Sequence, residues 1–60
     1  MPFVRVTLKA GRSAEKKAEM GRRIIAAVAE IAGVAPSDVW VAFDEVSQEN
    51  WHSGPKTPAG

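Results

Sequence analysis

Apolar and polar side chains alternate over the first residues of the chain. Val4, Val6 and Leu8 are separated by single polar residues, and two of these three are β-branched. A repeat of two is typical of a strand with one buried face. We therefore predict a strand from about Pro2 to Leu8, with Pro2 on the same face as the three apolar side chains.

The apolar spacing then changes to a helical repeat. Ser13 is a good N-cap residue, Gly33 suits the left-handed position that ends a helix, and Pro36 prevents continuation. These signals predict a helix from about Ala14 to Ala32. The apolar stripe predicted to be buried consists of Met20, Ile24, Ala27, Val28 and Ile31, with Ile25 on its flank.

A second strand is predicted from Val39 to Val46. Its apolar residues fall on both faces, with Phe43 on one and Trp40 on the other, which indicates that both faces are covered. The remaining residues, 47–60, are rich in Ser, Gly, Pro, Asn and Gln. We interpret them as a C-terminal tail, with a possible short hairpin around Trp51 to Lys56.

The order strand, helix, strand predicts an α+β fold, a single β-α-β unit in which the two strands are parallel. We expect residues 1–60 to form one domain. Two strands and a helix cannot close a core, and the helix-free face of the sheet would carry Trp40 or Phe43. The chain has no cysteine and only one histidine, His52. Neither disulfides nor a structural metal site is therefore expected to make up for the small core. We therefore expect an oligomer, with sheets joined across a two-fold axis.

The charges argue against several classes of partner. Eight Lys or Arg residues and seven Asp or Glu residues give a formal net charge of +1, with both signs mixed along the chain. A nucleic-acid-binding protein would show a clustered basic face, so no nucleic-acid partner is expected. No apolar run is long enough to cross a membrane and no signal peptide precedes the first strand, so we expect a cytoplasmic protein without a membrane partner.

Pro2 is the first candidate for chemistry. Removal of Met1 is the expected processing before a small second residue, and it would leave a secondary amine on Pro2. An apolar pocket disfavours the charged form of an amine and lowers its pKa towards neutrality, where a general base works best. Such an amine is also a nucleophile towards carbonyl groups. The structural alternative is that Pro2 simply begins an edge strand, where its missing N–H is harmless.

The chain resembles the tautomerase superfamily in five features. These are the opening Met-Pro, the tripeptide Gly11-Arg12-Ser13, the Ile- and Ala-rich helix, the strand from Val39 to Val46 and the sequence Glu49-Asn50-Trp51. The resemblance covers nearly the whole chain and is to the small 4-oxalocrotonate tautomerase branch. It implies a homohexamer, built as a trimer of dimers with active sites at subunit boundaries. It also implies a cofactor-independent enzyme that interconverts the enol and keto forms of a small carboxylate substrate, with Pro2 as general base and acid.

The resemblance assigns roles to further residues. Arg12 matches the loop arginine that binds the substrate carboxylate, and its planar fork suits that group. The alternative, a surface arginine, is disfavoured because a cation near a helix N-terminus opposes the helix dipole. Trp51 matches the aromatic wall of the proline pocket, although it would equally serve to anchor the tail against a neighbouring subunit.

Trp40 is a candidate substrate-binding residue that departs from the family pattern. The best-known members carry a second arginine at that position, supplied by an adjacent subunit, which polarises the substrate carbonyl. Its loss puts efficient turnover of 4-oxalocrotonate in doubt, because a cation there stabilises developing enolate charge. Lys9 is a partial substitute, since dehalogenating relatives carry an arginine there; Lys9 and Arg12 would then clamp a carboxylate together. The alternative is an exposed lysine at the end of a strand, and Arg5 is a second candidate cation.

Two other functions stay open. The same fold would support hydration or hydrolytic dehalogenation of a small unsaturated acid with Pro2, Lys9 and Arg12, and Glu49 is the obvious carboxylate to activate water. A non-catalytic oligomeric scaffold is the other alternative, and it follows if Met1 is retained and the Pro2 nitrogen stays an amide. His52 is expected to be a solvent-facing residue of the tail, with an acid-base role as the alternative.

Overall fold

The computed structural model describes residues 1–55, which form a parallel β-α-β unit. The strands β1 (Phe3–Lys9) and β2 (Trp40–Val46) flank the helix α1 (Ala14–Ala32). Two short 3-10 helices, Pro36–Asp38 and Gln48–Asn50, precede and follow β2. The predicted order, type and parallel direction of the main elements are confirmed.

The strand boundaries differ from the prediction by one residue. β1 begins at Phe3 and extends through Lys9, while β2 begins at Trp40 instead of Val39. Val39 is excluded because its N–H donates to the Pro36 carbonyl at 3.1 Å and closes the 3-10 helix. The ladder therefore starts one residue later than the apolar pattern alone predicts.

The strand register sorts the side chains into two faces. Phe3 pairs with Trp40 and Val6 pairs with Phe43, and neighbouring residues of a parallel pair point to the same side. The helix covers the Phe43 face, since a Cβ at Gly21 would lie only 3.6 Å from the Phe43 ring. Trp40 consequently lies on the helix-free face, which resolves the alternative that the sequence left open.

Both ends of α1 are capped as the sequence predicts. The Ser13 hydroxyl accepts a hydrogen bond from the Lys16 N–H at 3.1 Å. At the other end Gly33 adopts a φ of 72°, and the N–H groups of Gly33 and Val34 both donate to the Ala29 carbonyl. The positive φ explains why glycine occupies this position.

The predicted buried stripe of α1 is only partly correct. Met20, Ile24 and Val28 are half-buried, but Ala27 is exposed and Ile31 is 86% exposed. A two-stranded sheet is too narrow to cover the whole apolar side of a helix. These side chains therefore remain as apolar surface on a single chain.

The core of one chain is correspondingly small. Within residues 1–55 only Leu8, Ala29 and Val39 are buried, and no side chain is completely enclosed. An open groove runs between α1 and the free edge of β2, with Val41 and Phe43 among its lining residues. A single chain of this size therefore leaves apolar surface exposed to solvent.

The C-terminal segment leaves the sheet after β2. Residues 51–55 contain no strand. The alternative of a short hairpin around Trp51 to Lys56 is therefore not seen in this part, and Lys56 itself lies outside the described residues. In the part of the chain that the structure covers, no helix is long and apolar enough to cross a membrane.

Candidate active site

Pro2 lies immediately before β1 and is held by β2. Its carbonyl oxygen accepts a hydrogen bond from the Trp40 N–H at 3.0 Å. Pro2 is half-buried, whereas Met1 is 90% exposed. The candidate base thus lies at one end of the sheet, and Met1 before it is accessible.

Two aromatic side chains lie at this end of the sheet, on its helix-free face. Phe3 and Trp40 are direct neighbours in the strand register, and they are 61% and 56% exposed. Sequence reasoning selected Trp40 but missed Phe3. The available signal was that Phe3 is the one apolar member of a β1 face that otherwise carries polar side chains.

Arg12 lies in the turn between β1 and α1. Gly11 enters this turn with a φ of 125°, a conformation that other residues rarely adopt. One terminal nitrogen of the Arg12 guanidinium (Nη1) donates to the Lys9 carbonyl at 3.2 Å. Arg12 is exposed, and its other guanidinium N–H groups make no hydrogen bond within residues 1–55. The side chain is therefore tethered at one nitrogen and retains donors for a carboxylate.

Trp51 belongs to the segment that leaves the sheet at the Lys9 end. Because the strands are parallel, the last residue of β2 pairs with Lys9, and the following chain continues from there. Trp51 closes the second 3-10 helix by donating its N–H to the Gln48 carbonyl at 3.2 Å, and it is 41% exposed. Glu49 and His52, on either side of it, are both exposed.

The predicted site residues and Phe3 therefore form two groups. We call Pro2, Phe3 and Trp40 the proline end, and Lys9, Arg12 and Trp51 the arginine end. Pro2 and Lys9 are separated by seven positions of extended chain, or about 23 Å at about 3.3 Å per residue. A single chain does not bring the candidate base and the candidate carboxylate binder together.

Arg5, the other candidate cation, is engaged by β2. Its guanidinium donates from Nε and Nη2 to the two Asp44 carboxylate oxygens, at 2.8 and 3.2 Å. The hydrogen bond to Arg5 lowers the pKa of Asp44, and the opposite charge acts in the same direction. The same contact raises the pKa of Arg5. Arg5 is thus a paired surface residue on the helix-free face, not a free cation.

Comparisons with known proteins agree with this fold. A family model for tautomerase enzymes matches residues 2–59. A probable tautomerase from Bacillus cereus is 32% identical over 56 residues, which cover 93% of this chain and 92% of that protein. A heterohexamer 4-oxalocrotonate tautomerase from Chloroflexus aurantiacus J-10-fl superposes with a TM-score of 0.86 at 37% identity, covering 90% of this chain and 87% of that one. For a 4-oxalocrotonate tautomerase isozyme from Methylibium petroleiphilum the TM-score is 0.85 at 28% identity, covering 97% and 91%.

The fold defines a small α+β subunit of the 4-oxalocrotonate tautomerase type. With the family model matching nearly the whole length, the chain belongs to the tautomerase family. The expected family and fold class are therefore confirmed.

Proposed function

We propose that the protein is a cofactor-independent tautomerase that interconverts the enol and keto forms of a small carboxylate substrate. Family membership supports a tautomerase-type enzyme. The free amine of Pro2 accepts the enol O–H proton, and the same nitrogen, now charged, donates a proton to the substrate carbon. The reaction moves one proton from oxygen to carbon and needs no oxidant or reductant.

Arg12 binds the substrate carboxylate in this proposal. A guanidinium offers two parallel N–H donors to a carboxylate, and Arg12 keeps donors available after its contact with Lys9. The side chain of Lys9, at the same end of the sheet, would add a second positive charge. Trp51 supplies an apolar wall from the adjoining segment.

The proposal that the protein works as an oligomer rests on the distance between the proline end and the arginine end of one chain. Pro2 and Arg12 lie beyond opposite ends of β1 in one chain. A working site therefore combines the proline end of one subunit with the arginine end of another. The exposed apolar side chains of α1 and of the sheet supply surface for such contacts. We propose a homohexamer, a trimer of dimers; the Chloroflexus aurantiacus relative is a heterohexamer.

The state of residue 1 tests the premise of this mechanism. The intact mass of the purified protein should be short by one methionine residue, because the second residue, Pro2, is small. A chain that keeps Met1, made in a host competent to remove it, would have an amide nitrogen at Pro2. That result would favour the non-catalytic scaffold.

Two substitutions test the roles directly. Pro2→Ala and Arg12→Ala should each strongly reduce the ketonisation of an aryl enolpyruvate, followed by ultraviolet absorbance. Arg23→Ala is the matched control, since this exposed arginine pairs with Glu19 on the helix surface, away from both ends of the sheet. Unchanged rates in both site variants would contradict the proposal.

A hydratase or dehalogenase is the second candidate function. It is favoured by the placement of two cationic residues, because Lys9 and Arg12 lie at one end of the sheet, where the Arg12 guanidinium donates to the Lys9 backbone carbonyl. Glu49, in the segment that starts from this end, is the candidate to activate water. Release of halide from a haloacrylate would support this function, and its absence would remove it.

A further inference from the structure

We propose that Gly11 is a positioning residue for Arg12, and that it directs one edge of the guanidinium, formed by Nε and Nη2, towards the substrate carboxylate. This inference rests on the proposed function, because it concerns how the same substrate is held. Gly11 has no side chain, and it acts through the direction that its backbone gives to the next residue.

The connection between β1 and α1 is fixed on both sides of these two residues. Ala10 continues the strand pairing, since its N–H donates to the carbonyl of the last residue of β2 at 2.8 Å. Ser13 is held by the helix, because its hydroxyl accepts from the Lys16 N–H at 3.1 Å. Gly11 and Arg12 span the remaining gap. A change of φ at Gly11 therefore has to be absorbed mainly at Arg12.

The backbone angle, and not a lack of space, requires glycine at position 11. Gly11 is exposed and has a φ of 125°, which L-residues rarely adopt. A Cβ added there would meet no non-neighbouring atom within 4 Å. An L-alanine would thus be strained through its own backbone, and turning φ to relieve the strain would redirect Arg12. A D-residue has the mirror-image conformational map, in which this φ is ordinary extended chain.

The hydrogen bond of Arg12 leaves one edge of its guanidinium for a ligand. Nη1 donates to the Lys9 carbonyl at 3.2 Å, whereas Nε and Nη2 make no hydrogen bond within residues 1–55. Arg5 shows how this edge binds a carboxylate, since its Nε and Nη2 donate to the two Asp44 oxygens at 2.8 and 3.2 Å. Two parallel N–H donors fit the two oxygens of a carboxylate. The substrate carboxylate accordingly takes the Nε and Nη2 edge of Arg12.

The main experiment changes only the chirality of residue 11. A chain of 60 residues is short enough for chemical synthesis, and starting it at Pro2 gives every variant a free amine. Gly11→Ala should raise the KM for an aryl enolpyruvate about tenfold or more with little change in kcat, whereas Gly11→D-Ala should stay within about threefold of the wild type. Equal effects of the two alanines, or an unchanged KM in Gly11→Ala, would overturn the proposal.

Two controls separate positioning from a general loss of structure. Gly33 also has a positive φ, of 72°, but lies at the far end of α1. Gly33→Ala should therefore lower the melting temperature without raising the KM. In an Arg12→Ala background, Gly11→Ala should cause no further loss of kcat/KM, because the residue through which it acts is gone. A further loss of the same size in that background would contradict positioning.

A binding measurement separates this inference from the proposed function. With Arg12 selectively labelled with nitrogen-15, its Nε–H signal reports the binding of butanoate, which is not an enol. Butanoate should shift this signal in the wild type and in Gly11→D-Ala, but not at the same concentration in Gly11→Ala. That pattern would support the positioning role even if turnover is absent and the tautomerase proposal fails. No shift in the wild type would overturn the assignment of the edge. Turnover with the same KM in all three chains would refute the role of Gly11 and leave the tautomerase proposal intact.

Discussion

Activity should be restored when two inactive variants share one oligomer. Pro2→Ala removes the proposed base and Arg12→Ala removes the proposed carboxylate binder. The two positions lie at opposite ends of β1, about 23 Å apart when counted to Lys9. A substrate with a short carbon chain cannot span this distance, so the proposed mechanism requires each site to take its base and its arginine from different chains.

The expected magnitude follows from random mixing. With equal amounts of the two variants, a site needs an intact Pro2 from one chain and an intact Arg12 from another. Each condition is met about half of the time, so about a quarter of the sites should be complete in a symmetric assembly. If both residues came from one chain, no site would be complete.

The assay uses co-expression with two different affinity tags. Mixed oligomers are isolated by successive capture on both tags, and ketonisation of an aryl enolpyruvate is measured per chain. Oligomers that mix wild type with the double variant Pro2→Ala/Arg12→Ala provide the control. They should retain about a quarter of the sites if the residues come from different chains, and about half if they come from one chain. Mixed single variants that are as inactive as each parent would refute the two-chain site.

Three further changes test the fold. Ser13→Ala removes the N-cap acceptor of α1 and should destabilise the protein by about 1 kcal/mol in chemical unfolding. Gly21→Ala should stabilise it by up to about 1 kcal/mol, because the new Cβ would make an ordinary contact with Phe43 at 3.6 Å; a lower melting temperature would contradict that contact. Asp44→Asn should lower the melting temperature near neutral pH. Since pairing with Arg5 lowers the pKa of Asp44, that difference should be complete above the unfolded pKa of about 3.9 and disappear as the pH falls below the folded value.

Much of the fold could be predicted because it depends on local signals. The alternation around Val6 predicts β1, and Ser13 and Gly33 predict the two ends of α1, where the structure shows both caps. The burial of the helix could not be predicted in the same way. Ile31 lies on the apolar stripe of α1 yet is 86% exposed, because the width of the sheet limits what one chain covers.

The residue pairs between the two strands were the part of the site that the sequence predicted least well. Arg5 and Asp44 are 39 positions apart, and their contact depends on the register of two parallel strands. The neighbourhood of Phe3 and Trp40 depends on the same register. Displacing β2 by one residue would move Asp44 and Trp40 to the other face of the sheet. The apolar pattern limits the number of possible strand registers, but only the structure identifies the residues that pair across the strands.

The β-α-β topology itself links the proposed catalysis to assembly. A parallel crossover returns β2 to the starting end of β1, so Trp40 is placed beside Pro2, while the loop that carries Arg12 leaves from the opposite end. No rearrangement of side chains on one such unit can close a gap of about 23 Å, because an arginine side chain is much shorter than a strand of seven residues. In the proposed oligomer, contacts between subunits would both bury the exposed apolar surface and bring the two ends together. Substitutions at the subunit contacts would consequently affect activity even where they touch neither Pro2 nor Arg12.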